Sequence, residues 1–277
     1  MRNTLFITIL MFLTLTIPPS FAGENVELEP REIPKQAPLN VPEISQEELL
    51  AIIDRADAFF SDQGIENIAV DLKLFRDPAQ VLSLEDLKTG VVDSKAPFSP
   101  IIAHYFYQVP GWYQLKIMGI LIACSEPGVT TYTNLLPLPG GQLDIPEVMD
   151  NYDLIYLGQG EMNGRPTHRV RLVTKDFKKE FIKYSIYEFD AEAGYLCRVE
   201  SYFDDGYWQG HGSGEFYYKE RDGKMLPAYG YGEICIMPFF KTALWGRWDN
   251  WEFNSPDFNK TLGRGKEEKL KLIEVEK

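Results

Sequence analysis

The chain has 277 residues, 44% of them hydrophobic and 13% aromatic, which is enough apolar surface to bury a core and excludes a disordered protein. Its formal charge of −13 at pH 7 argues against nucleic acid and anionic membrane surfaces as general partners. The three cysteines, Cys124, Cys197 and Cys235, lack the short paired spacings of a zinc site. Cys197 and Cys235 fall in predicted strands, and the pattern is equally compatible with a disulfide and with buried free thiols.

The first 22 residues are predicted to be a secretory signal peptide. Arg2 supplies a basic start, residues 5–17 form an apolar run too short to span a bilayer, and residues 20–22 place small side chains where a signal peptidase cleaves. An uncleaved membrane anchor is the alternative. Residues 23–44 are rich in proline and glutamate, which predicts an extended linker. We therefore expect a periplasmic or otherwise extracytoplasmic protein that is soluble after its leader is removed.

A helix is predicted to begin after Ser45 and to stop at Gly64. Ser45 and Glu48 have the spacing of a capping box, and Ile44 and Leu49 sit where a hydrophobic staple packs. One face of the helix collects apolar side chains at helical spacing: Leu49, Ile52, Ile53, Ala56 and Phe60. This face is expected to cover an apolar surface.

The hydrophobic period changes to two directly after the helix. Residues 68–74 alternate apolar and polar side chains, which predicts a strand with one wet face. Residues 103–124 contain two apolar runs separated by Pro110 and Gly111. The second run is apolar on both faces from Ile117 to Cys124, so it is expected to be covered on both sides.

A regular meander of strands is predicted from Tyr152 onwards. The strand-like runs lie near 153–160, 167–174, 181–189, 195–203, 213–219 and 231–237. Turn residues such as Asn163-Gly164 separate them, Pro227 is taken as a break, and the glycines around His211 are assigned to a turn or bulge. Even spacing predicts sequential antiparallel pairing. Residues 263–277 are highly charged and are expected to be a mobile or weakly helical tail.

The sequence contains no recognisable catalytic constellation. His104, His168 and His211 each lack motif partners, so we expect structural roles for them, with no metal site, no cofactor and no enzyme activity. The alternative is an extracytoplasmic hydrolase with paired carboxylates, which composition does not exclude. A hydrolase should direct acids into a polar cleft, whereas a carrier should have a dry aliphatic concavity.

Three tryptophans are crowded near the end of the chain, at positions 245, 248 and 251. Aromatic clusters of this kind favour packing that closes the end of a barrel over a carbohydrate platform or a membrane-interface belt.

One helix, a first strand and a long meander behind a signal peptide resemble the periplasmic lipoprotein-carrier superfamily of LolA, LolB and RseB-like proteins, over roughly residues 45–258. The positions that match its diffuse motifs are Pro110, Trp112, Gly128, Tyr132, Gly160, Gly164, Arg165, Val170, Gly194, Arg198, Gly206, Trp251, Asn254 and Phe258. One position departs from the family: Gln108 stands where relatives have a basic residue shortly before the proline.

The resemblance implies an α+β, mainly antiparallel β fold over residues 45–262: an incomplete, half-open β-barrel with a helix covering its concave face. It also implies acyl chains of a lipid or lipoprotein as ligand, in an outer-membrane lipoprotein sorting role with membrane-associated donor and acceptor proteins. A lipid-sensing regulatory module is the alternative within the same superfamily. We expect a monomer.

Alternation and helical spacing select the residues expected to line the ligand cavity. In the hairpin strand "THRVRLV", Val170 and Leu172 point one way while Arg169 and Arg171 point the other. The complete set of candidate ligand-binding residues is Leu49, Ile53, Phe60, Leu72, Val170, Leu172 and Ile186.

Export is directly testable. Expressed with its own leader in a bacterium, the protein should appear in the soluble extracytoplasmic fraction with Gly23 as its first residue. The short apolar run and the small residues between that run and Gly23 specify cleavage there. Cell fractionation followed by N-terminal sequencing measures this. A chain that begins at Met1 and stays in the membrane pellet would contradict the prediction.

Overall fold

The structure is a computed structural model that describes residues 41, 43–75, 100–108, 112–117, 120–124, 149–178, 182–204, 209–237 and 244–256. The expected signal peptide, most of the linker and the charged tail lie outside these residues.

Helix α1, Gln46–Asp62, begins and ends where the sequence predicts. The Ser45 hydroxyl accepts a hydrogen bond from the Glu48 backbone N–H at 3.1 Å, and the Glu48 carboxylate accepts one from the Ser45 backbone N–H at 2.8 Å. The bond from the Ser45 backbone lowers the pKa of Glu48. At the other end, Gly64 has a φ of +66°, a left-handed conformation that terminates the helix. The capping box and the helix stop are both confirmed.

All the described strands belong to one antiparallel sheet. They are β1 Asn67–Phe75, β2 Ile101–Gln108, β3 Trp112–Ile117, β4 Ile120–Cys124, β5 Tyr152–Met162, β6 Arg165–Thr174, β7 Ile182–Asp190, β8 Leu196–Asp204, β9 Gln209–Arg221, β10 Lys224–Met237 and β11 Leu244–Phe253. Their spatial order is β4-β3-β2-β1-β11-β10-β9-β8-β7-β6-β5. Neighbours in sequence pair with each other except β4 and β5, and β1 pairs with β11 as well as with β2. Within the described part of the chain β4 and β5 end the sheet without pairing, so the predicted α+β half-open fold is confirmed.

The turn between α1 and β1 is fastened to the end of β11 by Asn254. Its side-chain oxygen accepts from the Glu66 backbone N–H at 2.7 Å, and its side-chain nitrogen donates to the Gly64 carbonyl at 2.8 Å. The Asn254 backbone N–H also donates to the Asn67 carbonyl at 2.9 Å. One residue therefore fixes where the helix leaves the sheet.

Three details of the strand prediction are wrong. The run ending at Cys124 is divided between β3 and β4 instead of forming one strand. Pro227 lies inside β10, where a bulge before Tyr229 removes the need for a proline N–H. The glycines around His211 are in the interior of β9, not in a turn.

One of those glycines, Gly214, belongs to a glycine row that crosses three strands. Gly214 of β9 lies opposite Gly232 of β10, which lies opposite Gly246 of β11. A Cβ atom built on Gly232 would lie 2.0 Å from the Ser213 carbonyl oxygen, and one on Gly246 would lie 3.1 Å from Leu72 Cδ1. Glycine is required at Gly232 because the backbone of β9 approaches it more closely than a side chain allows.

One face of the sheet, called the inner face below, packs against α1. The alternate residues of β1 that point to it, from Ile68 to Leu74, are buried as predicted. The clustered tryptophans divide between the faces: Trp248 and Trp251 join the core under α1, while Trp245 packs with Phe75 on the outer face. The first two therefore serve as packing, as predicted.

Cys197 is a free thiol buried in this core. Burial is the main cause that raises its pKa to about 12. Cys235 of β10 pairs with His211 of β9, and His211 pairs with Tyr202 of β8. Cys235 is therefore two strands across the sheet and five residues along it from Cys197. A disulfide requires Cα atoms within about 7 Å, which this separation exceeds.

Alanine substitutions in the glycine row should have unequal costs. Gly232→Ala should lower the free energy of unfolding by roughly 3 kcal/mol or more, because its methyl group meets backbone that must move. Gly246→Ala should cost about 1 kcal/mol or less, because the end of the Leu72 side chain can turn aside. Urea unfolding of both variants measures the difference. Equal costs would contradict the proposed close approach at Gly232.

Candidate ligand-binding site

Six of the seven candidate residues lie together between α1 and the inner face. They share exposures of 6% or less and belong to one apolar core: Leu49, Ile53, Phe60, Leu72, Val170 and Leu172. Ile53 and Val170 have no exposed surface at all, so this region is closely packed. Contact of these residues with a ligand stays a prediction.

The predicted inward position of Ile186 is wrong. Val170 pairs with Tyr187, so Tyr187 takes the inner position, and Ile186 pairs with Arg171 on the outer face. A shift of one residue exchanges the two faces of a strand. The signal that identifies Tyr187 is the register of β6 with β7, which alternation within β7 alone does not supply.

A cavity of about 590 Å³ opens where α1 begins, between the helix and the end strand β5. Its volume is typical of small-ligand sites. The lining residues are Val41, Glu43, Ile44, Gln46, Leu49, Met149, Tyr152, Asp153, Leu154, Ile155, Tyr156 and Lys175. We call it the rim cavity. Of the predicted residues only Leu49 lines it.

The sequence reasoning missed the β5 wall of the rim cavity. Tyr152, Leu154 and Tyr156 are alternate residues of one strand and pair with Thr174, Leu172 and Val170 of β6. Period-two alternation in "YDLIY" was available as a signal. Because β5 ends the sheet in the described residues, Leu154 and Tyr156 remain only partly covered, whereas Tyr152 is buried.

The linker reaches this site through Val41. A Cβ atom on Gly158 would lie 3.4 Å from Val41 Cγ1, and Gly158 has a φ of +96° at a bulge in β5. The positive φ favours glycine at this position, and Val41 packs on the strand beside it. The end of the linker therefore forms part of the cavity wall.

The helix is fastened most firmly at its C-terminal end. Gln63 exchanges two hydrogen bonds with the Met225 backbone, at 2.8 and 3.3 Å, and Arg55 donates to the Ala191 carbonyl at 3.3 Å. At the N-terminal end, Gln46 meets the Met149 sulfur at 3.9 Å, which is a weak contact. The rim cavity thus lies beside the less strongly held end of α1.

A polar pair faces α1 next to the rim cavity. The Tyr156 hydroxyl lies 2.9 Å from His168 Nδ1. Burial, and then the positive charge of Arg55 on α1, lower the pKa of His168, and burial raises the pKa of Tyr156. Both groups are therefore neutral at pH 7, which suits an apolar surrounding.

The other two histidines contact carboxylates on the outer face. His104 Nδ1 lies 2.7 Å from Asp71, and His211 Nε2 lies 3.6 Å from Glu233. The hydrogen bond from His211 lowers the pKa of Glu233. Across the residues that the structure describes, no three His, Cys, Asp or Glu side chains are grouped as metal ligands. In the same residues, no helix is long and apolar enough to cross a membrane.

No family model and no curated protein matches the chain. Solved structures do match. A LolA superfamily protein, NE2245 from Nitrosomonas europaea, has 10% identity over 76% of this chain and 96% of its own, with a TM-score of 0.43. A DUF1329 family protein from Desulfovibrio piger has 10% identity over the same shares, with a TM-score of 0.42. MucB in complex with MucA from Pseudomonas aeruginosa has 9% identity over 77% and 96%, with a TM-score of 0.25.

The first of these proteins is from the superfamily that the sequence resembles. Identities and TM-scores this low carry no conclusion about the ligand or the partner of the chain.

His168 should make stability depend on pH. Its pKa in the folded protein lies below the ordinary value of 6.5, so the unfolded chain binds the proton more readily and stability falls as the pH drops below about 6.5. His168→Gln keeps an acceptor for Tyr156 and removes the titration. Its free energy of unfolding should therefore fall less than that of the wild type between neutral pH and pH near 5. An identical pH dependence in the two proteins would contradict this.

Proposed function

We propose that the protein is an exported carrier that binds an acyl chain of a lipid or lipoprotein between α1 and the inner face. The observation that best supports this is the position of an amphipathic helix over the apolar face of a sheet whose described ends do not pair, beside a cavity of about 590 Å³. A fully enclosed core would need no such opening.

Hydrophobic transfer supplies enough free energy for this function. Each methylene group moved from water to an apolar site gains about 0.8 kcal/mol, so a chain of about sixteen carbons gains roughly 12 kcal/mol before any costs. A bilayer offers nearly the same gain. Loading and unloading are then nearly balanced, and the direction of transfer has to come from membrane-associated donor and acceptor proteins.

The rim cavity is the proposed entrance. The N-terminal turn of α1 is held by weaker contacts than the C-terminal end, so it is the part of the helix that moves aside at least cost. An entering chain would pass Leu49 and Leu154 and separate the side chains that now pack against Ile53 and Val170.

The chemistry of the inner face favours binding over hydrolysis. Most side chains packed between α1 and the sheet are aliphatic or aromatic, and the buried hydroxyls of Ser185 and Ser201 on this face bond to each other at 2.8 Å. The carboxylates that line the rim cavity, Glu43 and Asp153, are exposed, as is Lys175. A glycosidase would instead require two acids facing each other across a polar cleft.

Binding of a fluorescent fatty-acid probe tests the proposal. The wild type should bind the probe saturably. Leu154→Trp fills the rim cavity and should weaken binding roughly tenfold or more, which is a loss of at least about 1.4 kcal/mol of binding free energy. Ile186→Trp is the matched control, because it places the same indole on the outer face, and it should bind like the wild type. Fluorescence titration measures all three, with thermal melts to verify folding. A wild type that does not bind the probe would refute the carrier function.

A further inference from the structure

Three polar groups buried on the inner face have no hydrogen-bond partner among the described residues. They are the indole N–H groups of Trp248 and Trp251 and the hydroxyl of Tyr218, and we call them the inner-face donors. Trp248 is 3% exposed and Trp251 is 8% exposed. Buried donors are nearly always paired, because leaving one unpaired costs the hydration it had in the unfolded chain.

The inner-face donors lie toward the C-terminal end of α1. Tyr218 stacks on Tyr195 with ring centroids 3.9 Å apart, and it meets the edge of Phe59 of α1 at 5.9 Å. Trp251 is three residues before Asn254, which bonds to the turn that follows the helix. The rim cavity is at the other end of α1, roughly 16 Å away along the helix axis if Leu49 and Phe60 mark the two ends.

The backbone brings these aromatic residues onto one surface. Trp248 pairs with Gly230 of β10, which pairs with Phe216 of β9, so the absent side chain of Gly230 lets the two rings meet across an intervening strand at 5.4 Å. Asn250, with a φ of 54°, lies between Trp248 and Trp251, where β11 shifts its register against β1. That shift keeps both indoles in the same core.

Phenylalanine in these positions would bury similar apolar surface without an unpaired donor. Three donors in one apolar core therefore point to acceptor atoms that arrive with a ligand. Indole and phenol donors carry no formal charge, so the matching acceptor is a neutral oxygen. A carboxylate buried here would need a cation to offset its lost hydration.

We propose that the inner-face donors bind neutral carbonyl oxygens of the ligand, and that the site therefore selects ester- or amide-linked acyl chains over plain hydrocarbon. This inference rests on the proposed carrier function and adds the class of ligand to it. The hydrocarbon part of the ligand would lie along Ile53 and Val170, between the donors and the rim cavity.

The test is displacement of the fluorescent fatty-acid probe by two competitors of equal length, the methyl ester of a saturated fatty acid and the corresponding n-alkane. The wild type should bind the ester more tightly. The ratio of the two affinities should fall by about three- to tenfold in at least one of Trp248→Phe and Trp251→Phe, the range expected for one lost hydrogen bond. Trp245→Phe on the outer face is the matched control and should keep the wild-type ratio.

Tyr218→Phe keeps the test valid if a tryptophan variant does not fold, because it removes only a hydroxyl. The ratio of ester affinity to alkane affinity should also fall in this variant. Equal affinity of the wild type for ester and alkane, or a ratio unchanged in every variant, would overturn the inference and leave the carrier function standing. Displacement of the probe by neither competitor would overturn both. Selection of the ester with a loss confined to the inner-face variants supports the inference.

Discussion

The fold depends on the pairing of β1 with β11 and on the Asn254 hydrogen bonds that fix the turn before β1. This pairing is the contact that joins the strands following α1 to the long meander, across nearly the whole described chain. Contacts between residues so distant in sequence close a long loop, whose entropic cost local turns avoid. Because the turn after α1 is bonded to Asn254, the same pairing also sets the helix over the inner face.

Once α1 is placed, the two faces of the sheet have different chemistry. The inner face is mainly aliphatic and aromatic, and burial favours the neutral forms of Tyr156 and His168 on it. The outer face contains ion pairs such as Lys73 with Asp249 at 3.2 Å, and Arg165 at the start of β6 pairs with Asp190 at the end of β7 at 2.5 Å. The high negative charge of the chain therefore does not conflict with an apolar ligand in the closely packed part of the inner face, and the acids Glu43 and Asp153 lie at the rim cavity.

The glycine row and Gly230 allow close packing at one side of a sheet that does not close into a barrel. Glycine at these positions permits close approach of the strands β9, β10 and β11, and it lets rings from β9 and β11 meet. At the opposite side of the sheet, β5 ends the order of the described strands and leaves the rim cavity beside α1. Tight packing and an accessible margin thus occupy different parts of the same inner face, and the proposed ligand connects them.

The sequence by itself determined the local elements of this protein. The capping box at Ser45, the stop at Gly64, the alternation in β1 and the hairpin turn at Asn163-Gly164 are set by interactions between near neighbours, so the residues themselves reveal them. The half-open fold and six of the inward positions followed from these elements and from the family resemblance.

Only the tertiary structure decided the remaining features, because they depend on register and on long-range pairing. Whether Ile186 or Tyr187 points inward depends on which residue of β6 it faces. The sequence alone predicts a turn or bulge at the glycines of β9, and only their pairing partners in β10 and β11 show that they lie within a strand. The rim cavity joins the linker, α1 and β5, and the inner-face donors become unpaired only when three strands and a helix enclose them. Short-range patterns carry no information about such distant neighbours.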